Sequence, residues 1–206
     1  MAYLNVCISI APGAQAGNDR IRQDILLSHD IWHPISFRIK SILTLDQSFA
    51  FHDREISYKI PFKQQKKVYR LLEYCKMSSP DANLYIIYVN GNYFTEQHVI
   101  GCAYTEITGS HWKGFILVTN TAASSSNLLT VPHEIGHILL TRRKNGELTN
   151  EDPHSYTGSP HHSNPRNLMY PVIPRLEHTK QLQHLITEKQ RRIALQSPML
   201  YSTWRS

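Results

Sequence analysis

His133-Glu134-Ile135-Gly136-His137 brings two imidazoles and a carboxylate into one short stretch of chain. On an α-helix, residues four apart are separated by about 400° of rotation, so His133 and His137 point the same way, roughly 6 Å apart. Neutral imidazoles in that posture can occupy two corners of a Zn²⁺ tetrahedron. Glu134, next to the first His, is too constrained to ligate but can reach a water on the metal. Zinc lowers the pKa of such a water toward ~7, and a carboxylate then takes its proton as the oxygen attacks a carbonyl. With 12 His in 206 residues, composition alone would produce this pattern about 0.03 times per chain. The bland alternative is a buried helix that happens to carry two His. Around the motif, Thr130 can cap a helix, Pro132 is tolerated in its first turn, and Val131, Ile135, Ile138 and Leu139 supply an apolar face.

A catalytic tetrahedral zinc keeps three protein ligands and an open fourth position. Downstream lies His161-His162-Ser163-Asn164-Pro165-Arg166-Asn167-Leu168-Met169-Tyr170-Pro171. Over Val131 to Pro171, the two motifs together resemble the metzincin zinc metalloproteases. The resemblance implies His161 as the third ligand, with His162 one residue out of register and His154 a further candidate. It also implies a Met-turn, in which Met169 forms an apolar floor beneath the ligands without binding the metal. Tyr170 invites comparison with the family's oxyanion-steadying Tyr, which lies two residues after the Met rather than one. The chain departs from the short family pattern: Leu140 and Arg143 stand where it has Gly and His, and His161 lies 24 residues beyond His137. A competing arrangement, resembling thermolysin-like enzymes, takes Glu151 as a ligand. There Ser155 replaces the expected Asp, and Pro153 opposes a helix.

The elements that must position these groups are legible in outline. Leu4, Val6, Ile8 and Ile10 alternate in a first strand over 3–10, and Asn18 or Asp19 can cap a helix running to about Ser28. Ile35, Phe37 and Ile39 mark a strand over 35–44. Pro61 opens a helix in which Val68, Leu71, Leu72 and Cys75 recur at helical spacing until Ser78-Ser79-Pro80. Leu84–Val89 is a continuous apolar run, the mark of a strand buried on both faces. Strands near 99–107 and 114–119 precede the His-bearing helix. The order predicts an α/β fold: a metzincin-like, two-lobed zincin with a mixed, mostly parallel five-stranded sheet, a zinc-binding helix and a small helical C-terminal lobe. The resemblance makes Ile100 to Ile107 an antiparallel edge that an extended peptide could join. Residues 142–160, rich in Asn, Gly, Ser, Asp and Pro, read as an inserted, exposed loop controlling access to the metal. Thr187-Glu188-Lys189-Gln190 is a capping box for a last helix, with Ile186, Ile193 and residues 198–201 placed to pack it beneath the lower lobe.

With 206 residues and 41% hydrophobic content, the chain suits one domain over 1–206, its upper lobe over residues 1–141 and its lower lobe over residues 142–206. No run of 18 apolar residues occurs, so no membrane span is expected. The first residues lack a basic segment followed by a long apolar one, so no signal peptide is expected. That leaves the cytoplasm, export by a signal-independent route, or a mature fragment. Cys7, Cys75 and Cys102 are odd in number and widely spaced, reading as free thiols rather than a disulfide framework. The net charge of +6 concentrates in Arg142, Arg143 and Lys144 and in Lys180, Lys189, Arg191, Arg192 and Arg205. No aromatic-interleaved basic run or nucleic-acid motif accompanies it, so a solvated basic face is expected rather than a nucleic-acid surface. An acidic substrate, or an acidic inhibitor or immunity protein, is compatible with it.

These features lead to a zinc-dependent endopeptidase with His133, His137 and His161 as Zn²⁺ ligands and Glu134 as general base, acting on a protein or peptide substrate. Three other readings stay open. A zinc amidase acting on cell-wall peptides or a delivered antibacterial toxin hydrolase would use the same residues. A binding module with a structural zinc would instead close its site with four ligands, drawing on both His154 and His161.

Overall fold

The computed structural model describes residues 1–174 and 179–202. Strand β1 (Ala2–Ile10) leads through helix α1 (Asn18–Trp32) to β2 (Ser36–Thr44), and helix α2 (Lys66–Ser78) carries the chain back past β1 to β3 (Leu84–Tyr88). Strands β4 (Gly101–Thr108) and β5 (His111–Val118) form a hairpin, followed by helix α3 (Thr130–Leu139). The order of these strands in the sheet is β2-β1-β3-β5-β4. Their pairings are parallel except for β4, which runs antiparallel to β5 along the sheet's edge. Parallel crossovers are almost always right-handed, so reversing direction between the first and the second places α1 and α2 on opposite faces.

Strand alternation divides the core accordingly. Leu4, Val6, Ile8, Ile86, Tyr88, Ile116 and Val118 face α1 and α3, whereas Cys7, Tyr85, Ile87, Phe115 and Leu117 face α2. All five residues of β3 are buried, as a central strand covered on both sides requires. The three cysteines are free and buried.

Several expectations need correcting. Among the described residues the sheet has six strands rather than five, because the two-residue strand β8 (Tyr201–Ser202) pairs antiparallel with Ala2 and Tyr3 of β1. It lies alongside the start of β1, which β3 does not reach, since β3 pairs only from Val6 onward. Helix α1 continues to Trp32 and takes Gly17 as its N-cap. Pro61 precedes a single 3-10 turn, Phe62–Gln64, and α2 starts only after Gln65. The Gln65 side chain bonds Ser57 N, Ser57 O and Ile60 O, and its backbone is extended, so it separates the two.

Residues 142–160 are not simply an irregular loop. Strands β6 (Arg142–Lys144) and β7 (Glu147–Thr149) pair across Asn145-Gly146, both at positive φ. Asn-Gly accommodates the left-handed pair that a two-residue hairpin turn demands, and that dipeptide is the hairpin's mark in the sequence. The expected capping box is present: Thr187 and Gln190 bond reciprocally at the start of helix α4 (Glu188–Ala194). The basic face is also partly structural, since Arg191 donates to the carbonyls of Ile31 and His33 at the end of α1. The Lys180 side chain and Arg205 lie outside the described residues. Among the described residues, no helix is long and apolar enough to cross a membrane.

Candidate metal centre

Helix α3 is enclosed rather than half-exposed: all of Thr130–Leu139 except His137 is buried. Leu129 occupies the N-cap position, so the expected cap, Thr130, falls inside the first turn and donates from Oγ1 to Asn127 O. α1 braces the helix through Trp32 Nε1, which donates to Pro132 O at 3.0 Å. Two glycines let neighbours close in. A methyl built on Gly101 of β4 would stand 2.8 Å from Glu134 Oε1, so the edge strand reaches the carboxylate only because it has no side chain there. Gly136 makes the same allowance for Met169 on the opposite side.

His133 and His137 project together, with their Nε2 atoms 3.1 Å apart. His133 Nδ1 lies 2.7 Å from Leu168 O, an arrangement that puts the proton on Nδ1 and leaves the Nε2 lone pair facing His137. His161 joins them, its ring stacked 5.6 Å from His133 and edge-on 4.9 Å from His137. One nitrogen from each of the three lies within 4.8 Å of the others, a grouping that could hold a metal ion.

The electrostatics fit a cation. Burial pushes the His133 imidazole down to about 4, helped by His161 and opposed by the bond to Leu168 O. Burial, then His133 and His161, holds His137 well below the usual histidine range, and burial lowers His161 against the pull of Asp152. Three neutral imidazoles with converging lone pairs are the ligand form that a borderline-soft divalent ion such as Zn²⁺ takes. Burial alone pushes the Glu134 carboxyl up to about 8. A divalent charge beside it would favour the ionised form, which is the form a base needs.

The other candidate ligands fall outside this grouping. His162 turns away, its ring 5.1 Å from His154 and its Nδ1 accepting from Asn164 N. His154 Nε2 meets Thr187 Oγ1 at 2.9 Å. Glu151 pairs with Lys144 at 2.8 Å. Met169 is fully buried beneath α3. Tyr170 is not among the described residues lining the adjoining cavity.

That cavity, about 430 Å³, has His133, Glu134, His137 and His161 on one side and Val99–Tyr104 along the sheet edge on another. Tyr58, Ile60, Pro61 and Phe62 supply an apolar wall. Apart from Pro61, which reads only as a helix start, nothing in the sequence marks these wall residues, because the segment bearing them has no periodicity. It is fixed instead by Gln65, through its bonds to Ser57 and Ile60, and by Glu96, which accepts from Ser57 Oγ and Tyr58 N. A second recess of about 340 Å³ continues past His137 to Thr141, Leu148, Thr149 and Asn150, so the hairpin β6–β7 borders one end of the cleft.

The same architecture occurs in a solved structure. Metalloproteinase-II from Bacteroides fragilis superposes with a TM-score of 0.58 at 13% identity, covering 95% of this chain and 53% of that one. The likeness is one of fold, a mixed α/β arrangement seen in a metalloproteinase. This chain spans about half the length of that protein. A chain from a structure of a chaperone-substrate complex aligns with a TM-score of 0.44 at 15% identity, covering 95% of this chain and 36% of that one, too distant to inform the site. No family model and no curated protein matches the sequence.

Proposed function

We propose that this chain is a zinc-dependent peptidase of metzincin type, with His133, His137 and His161 as ligands and Glu134 as general base. The observation that carries the reading is the convergence of three neutral imidazoles beside a buried carboxylate, at the wall of a cleft along an antiparallel sheet edge. A bound zinc supplies a Lewis acid for a peptide carbonyl and acidifies water. Glu134 takes the proton from the attacking water and delivers it to the leaving amine. Its place against Gly101 keeps the carboxylate beside the strand that would hold the substrate. An extended peptide pairs with the free edge of β4, which puts its backbone along the cleft. His133 is held in one tautomer by Leu168 O, and Met169 serves as the floor of a Met-turn.

The opening of the three-His group onto a cavity supports catalysis over a purely structural zinc. His154, which a closed four-ligand site would recruit, is engaged with Thr187. The test is elemental analysis of the purified chain followed by digestion of a peptide library. We expect one zinc per chain and cleavage that disappears in Glu134→Gln, with the metal retained. A metal-loaded chain that cuts no peptide, or a Gln variant as fast as the parent, refutes the reading.

A further inference from the structure

Gln190 does more than cap a helix. In the capping box of α4 only its Oε1 is required, accepting from Thr187 N at 2.7 Å. Yet the side chain is fully buried, and its Nε2 donates to Asp152 Oδ2 at 2.6 Å and to Asn167 Oδ1 at 3.1 Å. Asn167 Nδ2 returns a bond to Oε1 at 3.0 Å. The amide thus uses both its donors and both its acceptor positions, as a buried amide must.

The two partners lead to the metal centre by two routes, whose ends are also joined directly where His162 N donates to Met169 O at 2.8 Å. Asp152, with 0% exposure, accepts from His154 N, and its own N–H donates to Ser159 O. Ser159 Oγ in turn accepts from His161 N at 3.1 Å. Asn167 Oδ1 accepts from Met169 N at 2.9 Å, in the turn whose Leu168 carbonyl holds His133 Nδ1. One side chain on α4 therefore joins the segment that presents His161 to the turn that orients His133. A Glu would complete the capping box equally well, but it would set a second carboxylate against buried Asp152 and lose both donated bonds.

Resting on the ligand assignment above, we propose that Gln190 is a positioning residue of the metal centre, fixing through Asp152 and Asn167 the placement of His161 and of the Met169 turn. Metal-free wild type, Gln190→Glu, Asp152→Asn and the double variant are titrated with Zn²⁺ and Co²⁺ against a chromophoric chelator. Gln190→Glu should weaken binding by about 10- to 100-fold, the range for groups that orient ligands, and should alter the visible Co²⁺ spectrum. In the double variant the amide introduced at position 152 can donate to the carboxylate introduced at position 190, so affinity and spectrum should return in part, the bond to Asn167 Oδ1 staying lost. Asn167→Ser, which leaves the capping box whole, should weaken binding in the same way and serves if Gln190→Glu does not fold. Unchanged affinity and spectrum in Gln190→Glu or Asn167→Ser, with the wild type binding metal, overturns this inference alone. So does a double variant that binds no better than its singles. A wild type that binds no metal overturns the ligand assignment and this inference together.

Discussion

The sulfur of Met169 fills the space where a side chain at Gly136 would begin. Trp32 closes the same spot from α1. The ligand helix and the turn beneath it therefore touch without an intervening side chain, and the register of α3 over Met169 is set by the absence of a single methyl.

Gly136→Ala should be destabilising even though Ala is the better helix former by about 1 kcal/mol. Overpacking a filled core costs about 1–3 kcal/mol, and both neighbours are buried side chains. Thermal melting of the metal-free protein should show a fall in Tm. In the Gly136→Ala background, Met169→Ala should cost less than it does alone, because removing the sulfur also relieves the clash. Strictly additive losses would mean that the two residues do not share the site.

Single replacements should sort the candidate ligands. His161→Ala should lose most of the metal, whereas His162→Ala, His154→Ala and Glu151→Ala should keep it. The reason is geometric: among these candidates His161 joins the pair on α3 and the others do not. Elemental analysis after dialysis decides this, and zinc lost with His162→Ala but retained with His161→Ala would reverse the assignment.

The metal-free protein should lose stability on acidification. His133 has a folded value of about 4 against an ordinary 6.5. The unfolded chain therefore takes up a proton below about pH 6.5 that the folded one refuses until about pH 4, and His137 and His161 shift in the same direction. For His133 the slope is about 1.4 kcal/mol per pH unit in that window. Glu134 acts oppositely. Its raised value stabilises the folded state below about pH 4.5, and that contribution is lost as pH rises to about 8. Three histidines outweigh one carboxyl, so the Tm of the metal-free chain should fall from pH 6.5 to pH 4. His133→Gln should flatten that fall, and an unchanged slope would contradict the assigned shift.

Trimming the hairpin tip, Arg143–Leu148, to a short turn should leave metal binding intact and alter which peptides are cut, since Leu148 lines the recess beside His137. A deletion reaching Asp152 should instead cost the metal, because Asp152 anchors the segment leading to His161. Equal metal loss from both deletions would show that the hairpin itself supports the ligands.

Local rules in the sequence determined much of this protein. The i, i+4 spacing of His133 and His137 places both rings on one side of any helix, whatever surrounds it. Alternation in β1, the continuous apolar run of β3 and the Thr187–Gln190 box likewise depend on neighbours within a few residues, and each is present in the fold. Tertiary structure decided what depends on distant partners. His161 and His162 differ in sequence by one position, but the bonds that Asp152 N and His161 N donate to Ser159 accompany one ring turned toward the ligand pair and the other set against His154. The burial of Asp152 and the double role of Gln190 follow from contacts across 38 positions. The apolar wall at Tyr58–Phe62 depends on Glu96, 39 positions from Ser57, as well as on the nearer Gln65. No periodicity encodes such pairings: they exist only once the sheet and its helices bring the segments together, when each buried polar group must find its partner.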